Sequence, residues 1–285
     1  MNEVILEDCL TGLAGVSDGS IHLTFTSPPY FNARDYSDTE DTSGRKNSRY
    51  WNGTTKARWT LSPTWETYEG YLSFLEDVFT EVYRTTADKR MCVVNISPTL
   101  QRRKSRMHES RRLPIPYHLF NIMEKIGWVY LDNIVWVKPE GSSVNRNGQF
   151  YKHRKPVAYK PNVVTESLLV FQKPAPFLID KIVRSYKGEV LKNSLVKDGY
   201  ERSNVWSINP ETKSKHSAPF PKKLSDRVVE YYSFVGDNVL DPFMGSGTTA
   251  TSCVDLGRNY LGFEVHEEYV AIARERINEQ ENKKS

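Results

Sequence analysis

The sequence predicts an α/β fold with a mostly parallel, twisted sheet and helices on both faces. Short apolar segments rich in Val, Ile and aromatic residues recur along the chain, and amphipathic helical patterns lie between them. The chain has no internal repeat. With 285 residues, 38% of them hydrophobic and 26% charged, the chain has the composition of a packed globular protein rather than a disordered or fibrous one. This length fits one large domain, or one domain with an insertion.

The predicted strands are apolar segments with high β-propensity. They cover residues 21–26, 91–96, 128–137, 166–171, 238–241 and 260–265. The predicted helices have apolar residues at steps of three and four, and they cover residues 65–83, 114–126 and 248–256. Gly127 and Gly257 follow two of these helices, where a left-handed residue commonly ends a helix.

Several classes of protein are excluded by composition. No apolar segment reaches the roughly 18 residues that a membrane span needs, and the start of the chain is acidic, so we expect a cytoplasmic protein without a membrane anchor. The three cysteines are scattered and form no Cys-x-x-Cys motif, which indicates reduced thiols and no metal site.

Three stretches interrupt the alternation of strands and helices: residues 31–61, 138–162 and 179–215. Polar, basic and turn-forming residues dominate the first two stretches, which predicts long loops there, and loops this long in a compact domain are usually functional. The net charge of +4 is mild, but the positive charge is concentrated in residues 101–112 and 145–160. The candidate phosphate-binding residues are Arg102, Arg103, Lys104, Arg106, Arg146, Lys152, Arg154 and Lys155. The alternative for each of them is a solvated basic surface.

A candidate nucleotide-type site follows the strand at 238–241. The sequence Asp-Pro-Phe-Met-Gly-Ser-Gly-Thr-Thr runs from this strand into a helix, and Glu264 ends the next strand. Such a loop brings backbone N–H groups close to a ligand, and an acid at this distance can accept from ribose hydroxyls. The loop lacks the Gly-Lys-Ser/Thr of a P-loop and the full dinucleotide fingerprint, which favours an adenosine-bearing ligand without a phosphate chain. The alternative is a tight turn beside a surface glutamate.

A second candidate loop, Thr26-Ser27-Pro28-Pro29-Tyr30, follows the strand at 21–26. Its two prolines stiffen the chain and remove two donors, so carbonyl oxygens remain free to accept beside a hydroxyl and an aromatic ring. This arrangement suits a flat ring that carries an amino group. Taken alone, the same four residues also fit a plain turn.

Together, in this order, the two loops make the chain resemble the DNA amino-methyltransferases that use S-adenosylmethionine, in the permuted group whose catalytic motif precedes the cofactor motif. The resemblance implies a Rossmann-like methyltransferase fold. In that group the Thr-Ser-Pro-Pro-Tyr form is usually associated with the N4 amino group of cytosine, and Asp in place of Ser with the N6 amino group of adenine. Asp8, in the segment Leu6-Glu7-Asp8-Cys9-Leu10, is similar to the acid that contacts the cofactor adenine in this group. Glu7 stands where the group usually has glycine.

The resemblance, together with the loop chemistry, assigns roles to individual residues. The expected catalytic residues are Ser27, Pro28, Pro29 and Tyr30, with Ser27 Oγ and the Pro28 carbonyl as acceptors, Tyr30 stacking on the base and Pro29 stiffening the loop. The expected S-adenosylmethionine-binding residues are Asp8, Cys9, Thr26, Phe220, Pro221, Asp241, Pro242, Phe243, Gly245, Ser246, Gly247, Thr248 and Glu264. No metal is expected.

The predicted organisation is one domain in three parts. Residues 1–178 form the catalytic part with basic DNA-contacting loops, 179–215 an irregular target-recognition insertion, and 216–285 the cofactor-binding part. The expected partners are double-stranded DNA with a flipped target base and a cognate restriction endonuclease, the protein itself being a monomer or homodimer. The alternatives are an adenine N6-methyltransferase of the same fold, an inactive DNA-binding module, and a small-molecule or RNA methyltransferase.

Overall fold

The computed structural model describes residues 1–31, 67–101, 107, 110–142, 152–154, 156–157, 159, 161–210 and 220–283. Its strands are β1 (Glu3–Leu6), β2 (Ile21–Thr26), β3 (Thr86–Ile96), β4 (Thr99–Gln101), β5 (Arg111–Leu113), β6 (Val129–Val137), β7 (Thr165–Gln172), β8 (Val205–Ser207), β9 (Asn238–Asp241) and β10 (Asn259–Glu264). Its helices are α1 (Cys9–Ala14), α2 (Tyr68–Thr85), α3 (Ile115–Ile126), α4 (Asp180–Ser185), α5 (Gly188–Ser194), α6 (Lys222–Tyr232), α7 (Thr248–Leu256) and α8 (Glu267–Asn282), and Glu140–Ser142 form a short 3₁₀ turn.

The main sheet confirms the predicted α/β class. Eight strands lie in the order β1-β10-β9-β2-β3-β7-β6-β8, and β4 and β5 form a separate hairpin. The five strands from β1 to β3 run parallel, β7 runs antiparallel to both of its neighbours, and β8 is parallel to β6. The sheet is therefore mostly parallel.

Both faces of the sheet are covered by helices, as predicted. Along β3, Cys92, Val94 and Ile96 pack into one apolar core with α1, α2 and α3. The intervening Val93 packs into the second core, with α6, α7 and α8. Side chains that alternate between two buried faces explain why these strands are almost continuously apolar.

The helix ends agree with the glycine signals. Gly127 and Gly257 follow α3 and α7 with φ of +115° and +73°, the left-handed backbone that glycine adopts at low cost. Helix α2 begins at Tyr68, after Thr67 accepts a hydrogen bond from Gly70 N at 3.0 Å. The start predicted near residue 65 lies outside the described residues.

The two candidate loops leave the same edge of the sheet. From β2 the chain passes through α2 to β3 on one side, whereas from β9 it passes through α7 to β10 on the other side. Because β2 and β9 are parallel neighbours, their carboxyl ends lie side by side where the strand order reverses. Ligands of open α/β sheets bind at such a switch point.

The segment 179–215 differs from the expected irregular insertion. Its described part contains α4, α5 and the sheet strand β8. Between the two helices, the Tyr186 ring stacks on Phe234 with centroids 3.9 Å apart, and its hydroxyl donates to Asp237, immediately before β9. These contacts attach the two helices to the amino edge of the sheet, opposite the candidate loops.

Within the described residues, no helix is long and apolar enough to cross a bilayer. Cys9, Cys92 and Cys253 are buried and unpaired. The described part of the chain also contains no group of three or more His, Cys, Asp or Glu side chains that could bind a metal ion.

Candidate active site

A buried carboxylate joins the two candidate loops. Thr26, the last residue of β2, donates its hydroxyl to Asp241 Oδ1 at 2.6 Å. Asp241 Oδ2 accepts from the Thr249 hydroxyl in α7 at 2.7 Å, and Phe243 N donates to Oδ1 at 3.1 Å. Only 1% of Asp241 is exposed. The loop after β2 and the loop after β9 are therefore parts of one site.

The burial of Asp241 makes its ionisation costly. Burial raises the pKa of the Asp241 carboxyl to about 6, although the hydrogen bonds from Thr26, Thr249 and Phe243 act in the opposite direction. The folded state therefore holds the Asp241 proton more tightly than an unfolded chain does. The contribution of this group to stability is greatest below about pH 4 and falls as the pH rises through about 6.

Replacement of Asp241 by Asn should remove this pH dependence, because an amide does not ionise. As the pH rises from about 4 to about 6, the free energy of unfolding of the native chain should fall relative to that of D241N, by on the order of 2–3 kcal/mol. Denaturant unfolding across this range measures the difference. The exposed Asp198→Asn is the control, and a constant difference between D241N and the native chain would contradict the assignment.

The loop after β9 needs glycine where it approaches α8. Gly245 and Gly247 have positive φ, +52° and +79°, and a Cβ at Gly247 would lie 2.8 Å from the Cβ of Ala273. Met244 N also donates to the Phe263 carbonyl of β10 at 2.9 Å. The loop thus packs closely between α8 and β10, and α7 starts at its end.

Acidic residues end the strands beside this loop. Glu264, at the end of β10, is 8% exposed and accepts from Gly245 N at 2.9 Å and His266 N at 3.0 Å, and burial raises the pKa of its carboxyl. Past the neighbouring β1, the exposed Asp8 accepts from Leu10 N at 3.0 Å and caps α1, whose first residue Cys9 is buried.

These features fit an adenosine-bearing ligand. The loop 241–249 carries no basic side chain to meet a phosphate chain, whereas Asp8 and Glu264 provide acceptors for amino and hydroxyl groups at adjacent strand ends. Phe220 packs on Phe25 with centroids 4.8 Å apart, and Pro221 is buried at the start of α6. Glu264 and Phe220 thus lie near the ends of β10 and β2, and Pro221 directly follows Phe220.

Arg276 contacts the glycine loop from α8, and the sequence did not indicate this role. Its guanidinium, on α8, donates to the Ser246 carbonyl at 2.6 Å, to Ser246 Oγ at 2.9 Å and to Thr248 Oγ1 at 3.3 Å. The residue lies about one helical turn beyond Ala273, which packs on Gly247. Arg276 therefore supports the conformation of the loop.

Replacement of Arg276 by Met should weaken the binding of S-adenosylmethionine by about 10-fold, because charge-assisted hydrogen bonds to the loop are lost. Isothermal titration of the purified variant measures the dissociation constant. Arg274→Met is a matched control on the same helix, since Arg274 donates instead to the Val4 carbonyl of β1. Equal affinities in R276M and R274M would contradict the role.

The loop after β2 presents its hydroxyl and ring beside a second polar cluster. Pro28 is buried, and Ser27, Pro29 and Tyr30 are partly exposed. The Tyr30 hydroxyl donates to Glu166 Oε2 at 3.1 Å. Asn95 Nδ2 donates to the same oxygen at 2.8 Å and lies 3.5 Å from Ser27 Oγ. Neither Asn95 nor Glu166 was among the residues predicted for the site.

The basic segments connect to the same edge of the sheet. Residues 102–110 link the strands of the β4–β5 hairpin, which follows the carboxyl end of β3. Residues 138–164 link the carboxyl end of β6 to the start of the antiparallel β7. Lys152 and Arg154 are exposed. The other predicted phosphate-binding residues, Arg102, Arg103, Lys104, Arg106, Arg146 and Lys155, lie outside the described residues.

Comparison with known proteins identifies the family. The model of the N6_N4_Mtase family, described as DNA methylase, matches residues 21–275. The chain belongs to this family. Among the similar proteins, the type II methyltransferase M.SmaI of Serratia marcescens is 26% identical over 96% of the chain and 90% of its own length. M.MwoI of Methanothermobacter wolfeii is 31% identical over 87% of the chain.

The chain spans only part of some relatives. It covers 29% of the length of M.MwoI and 27% of the length of the type II beta methyltransferase M.BslI of a Bacillus strain, which is 26% identical over 96% of the chain.

Solved structures agree with the α/β architecture. TTHA0409 of Thermus thermophilus, solved in complex with S-adenosyl-L-methionine, superposes with a TM-score of 0.72 at 26% identity over 98% of this chain and 94% of that one. The PvuII DNA methyltransferase, described as cytosine-N4-specific, gives a TM-score of 0.61 at 17% identity over 99% and 91% of the two chains. The fold is thus the Rossmann-like fold of methyltransferases.

Proposed function

We propose that this chain transfers a methyl group from S-adenosyl-L-methionine to the exocyclic N4 amino group of cytosine in double-stranded DNA. The observation that supports this most strongly is the hydrogen bond between Thr26 and Asp241, which joins the catalytic and cofactor loops at one switch point. A methyl donor held by the loop after β9 then faces an amino group held by the loop after β2.

The chemistry follows from how an exocyclic amino group reacts. Its lone pair is delocalised into the ring, so the enzyme must favour a pyramidal nitrogen whose lone pair is available. Ser27 Oγ and the Pro28 carbonyl accept hydrogen bonds from the two amino hydrogens, and Tyr30 stacks on the base. When bound, S-adenosyl-L-methionine supplies the activated methyl group.

Preorganised oxygen dipoles stabilise the positive charge that develops on the amino nitrogen. Ser27 does not need to act as a base, because the methylated nitrogen loses its extra proton readily to water or to a neighbouring acceptor.

Cytosine is proposed because the loop carries serine at position 27, the form associated with N4 methylation in the group that the chain resembles. A serine hydroxyl also accepts from an adenine amino group, and N6 methylation of adenine is therefore the second candidate. Purified chain can be incubated with genomic DNA free of both modifications, followed by digestion to nucleosides and mass spectrometry. N4-methylcytosine supports the proposal, whereas N6-methyladenine alone assigns the second candidate.

The target base must leave the duplex to reach this site, and the enzyme must therefore grip the DNA backbone. We propose that the segments attached at the carboxyl edge, 102–110, 138–164 and the residues after β8, hold the duplex and read its sequence. In the segment 179–215, only the part after Ser207 leaves from this edge, since β8 runs parallel to β6 and α4 and α5 lie at the other edge.

Removal of Lys152 and Arg154 should weaken DNA binding through lost phosphate contacts. In K152A/R154A, the slope of log affinity against log salt concentration should become shallower by about 1 to 2, roughly 0.9 for each lost contact. Fluorescence anisotropy with a labelled duplex measures this slope. The matched control is K181A/R184A, which removes two exposed cations from α4 at the amino edge. Similar slopes for the two double variants would contradict the proposed DNA-binding edge.

The biological context we propose is a restriction–modification pair with a cognate endonuclease, acting in the cytoplasm. The type II methyltransferases among the relatives support this pairing, and the orphan methyltransferase M.BamHII of Bacillus amyloliquefaciens, 26% identical over 92% of the chain, represents the alternative. Protection of methylated DNA against extracts of the source organism distinguishes the two.

A further inference from the structure

A partly buried polar cluster lies next to the catalytic loop and is composed of residues from three different strands or their ends. Glu166 belongs to β7, Asn95 to β3, and Lys138 directly follows β6. Lys138 Nζ lies 2.5 Å from Glu166 Oε1, and the side chains of the pair are only 19% and 14% exposed. Lys138 also lies 5.0 Å from the centroid of the buried Trp136 ring. The negative charge of Glu166 is thus paired with the Lys138 ammonium, which also contacts the Trp136 ring.

The carboxylate of Glu166 accepts from every partner in this cluster. Oε1 faces the Lys138 ammonium, and Oε2 accepts from both the Tyr30 hydroxyl and Asn95 Nδ2. An ammonium can only donate, and a carboxylate can only accept. The direction of each hydrogen bond is therefore set by the chemistry of its partners, and the Tyr30 proton must point at Glu166.

The same reasoning sets the orientation of Asn95. Its Nδ2 must face the Glu166 carboxylate, and the second hydrogen of this amide points toward Ser27 Oγ, 3.5 Å away. Only 2% of Asn95 is exposed, and its Oδ1 has no hydrogen-bond partner within the described part of the chain. Because a carboxylate can only accept, the Nδ2 bond to Glu166 fixes which way this amide faces, even though its oxygen is left without a partner. Glu166 therefore also acts on Ser27.

We propose that Glu166 is a positioning residue for methyl transfer, holding Tyr30 directly and Ser27 through Asn95 in the geometry that the target base requires. This inference rests on the proposed function, in which Tyr30 stacks on the base and Ser27 accepts from its amino group. Glu166 lies on β7, which is separated in the sheet by β3 and β2 from β9, where the cofactor loop begins. Its loss should lower turnover without changing the affinity for S-adenosylmethionine.

Glu166→Gln tests this role because it changes hydrogen-bond polarity with little change in shape. A glutamine side chain must turn its NH₂ either to the Lys138 ammonium or to the Asn95 and Tyr30 side. The first choice places donor against donor, and the second forces Asn95 to flip, so that Oδ1 rather than Nδ2 faces Ser27. We expect kcat to fall about 10- to 100-fold in E166Q, with the dissociation constant for S-adenosylmethionine within about twofold of the native value.

The matched control is Glu76→Gln. Glu76 is also paired with a lysine, Lys125, at 2.5 Å, but this pair lies on the surface between α2 and α3. E76Q should keep native turnover. Equal losses in E76Q and E166Q, or native turnover in E166Q, would overturn the proposal.

A double-mutant cycle with Tyr30→Phe separates positioning from a general structural role. If Glu166 acts partly through the Tyr30 hydroxyl, E166Q should cost less turnover in the Y30F background than in the native chain, so that the combined loss is smaller than the product of the single losses. A combined loss equal to that product would contradict the coupling.

Hydrogen–deuterium exchange provides a readout that does not depend on catalysis. Peptides spanning residues 24–31 should exchange faster in E166Q than in the native chain or in E76Q, because the loop loses its anchor. Unchanged exchange there would overturn the positioning role. If the native chain methylates no DNA base, the proposed function fails, while this exchange experiment still decides whether Glu166 holds the loop.

Discussion

Replacement of Ser27 by Ala is expected to reduce methyl transfer by on the order of 10²–10³-fold. The reason is the loss of the Ser27 Oγ acceptor for an amino hydrogen of the target base, an interaction that strengthens as the nitrogen becomes pyramidal. Because Ser27 contacts Asn95 rather than the cofactor loop, S-adenosylmethionine should bind S27A as it binds the native chain. Single-turnover rates with labelled cofactor, together with cofactor titrations, measure the two quantities separately.

Ser185→Ala serves as the control for this substitution. Ser185 is exposed on α4 at the amino edge, where its hydroxyl donates to the Ile182 carbonyl. S185A should therefore transfer methyl groups at the native rate. Native turnover in S27A would remove the proposed role of the hydroxyl, and a loss that parallels lower thermal stability would assign Ser27 a structural role instead.

Replacement of Glu264 by Gln should weaken S-adenosylmethionine binding by about 10- to 100-fold. The carboxylate organises the loop by accepting from Gly245 N and His266 N, and in the proposed complex it also accepts from the ribose hydroxyls. A neutral amide has one acceptor atom in place of two, so it cannot satisfy both sides. Isothermal titration with S-adenosylmethionine and with S-adenosylhomocysteine measures the loss, which should be similar for both ligands because they share the ribose.

For Glu264, the control is Glu279→Gln, an exposed acid further along α8. E279Q should bind the cofactor with native affinity. An E264Q variant that retains native affinity for both ligands would show that the Glu264 carboxylate does not contact the ribose and only accepts from Gly245 N and His266 N.

The sequence predicted the parts of the site that lie in short contiguous motifs. Strands β2 and β9 and helix α7 begin and end where the pattern indicated, because each combines a buried apolar segment with a clear turn or glycine signal. That the loops after β2 and β9 meet follows from their position at the carboxyl ends of parallel strands. The bond between Thr26 and Asp241 confirms that the two loops start side by side.

Other parts of the site depend on contacts between distant residues, which a single sequence does not reveal. Glu166, Asn95 and Lys138 each lie within or just after a predicted strand, and only the pairing of β3, β7 and β6 brings them together. Similarly, Arg276 lies in a charged helix that the pattern did not predict. Strands β1 and β8, of four and three residues, are too short to show a period of two.

The position of α4 and α5 illustrates the same limit. The break in the alternation of strands and helices suggested an irregular target-recognition insertion here, but the stacking of Tyr186 on Phe234 and its bond to Asp237 attach the two helices to the far edge of the sheet. Arg90 pairs with the same aspartate at 3.0 Å, and this buried ion pair reinforces the attachment. A tyrosine in a polar segment gives no sequence signal for such a contact.

The structure of this chain in complex with S-adenosyl-L-methionine tests the central claim most directly, namely that the loops after β2 and β9 form one catalytic cleft. The account predicts that the ribose hydroxyls lie on Glu264 and that the methyl carbon points into the space beside Ser27 Oγ and the Pro28 carbonyl. A cofactor bound away from the glycine loop, or bound there with its methyl group turned away from Ser27, would contradict it.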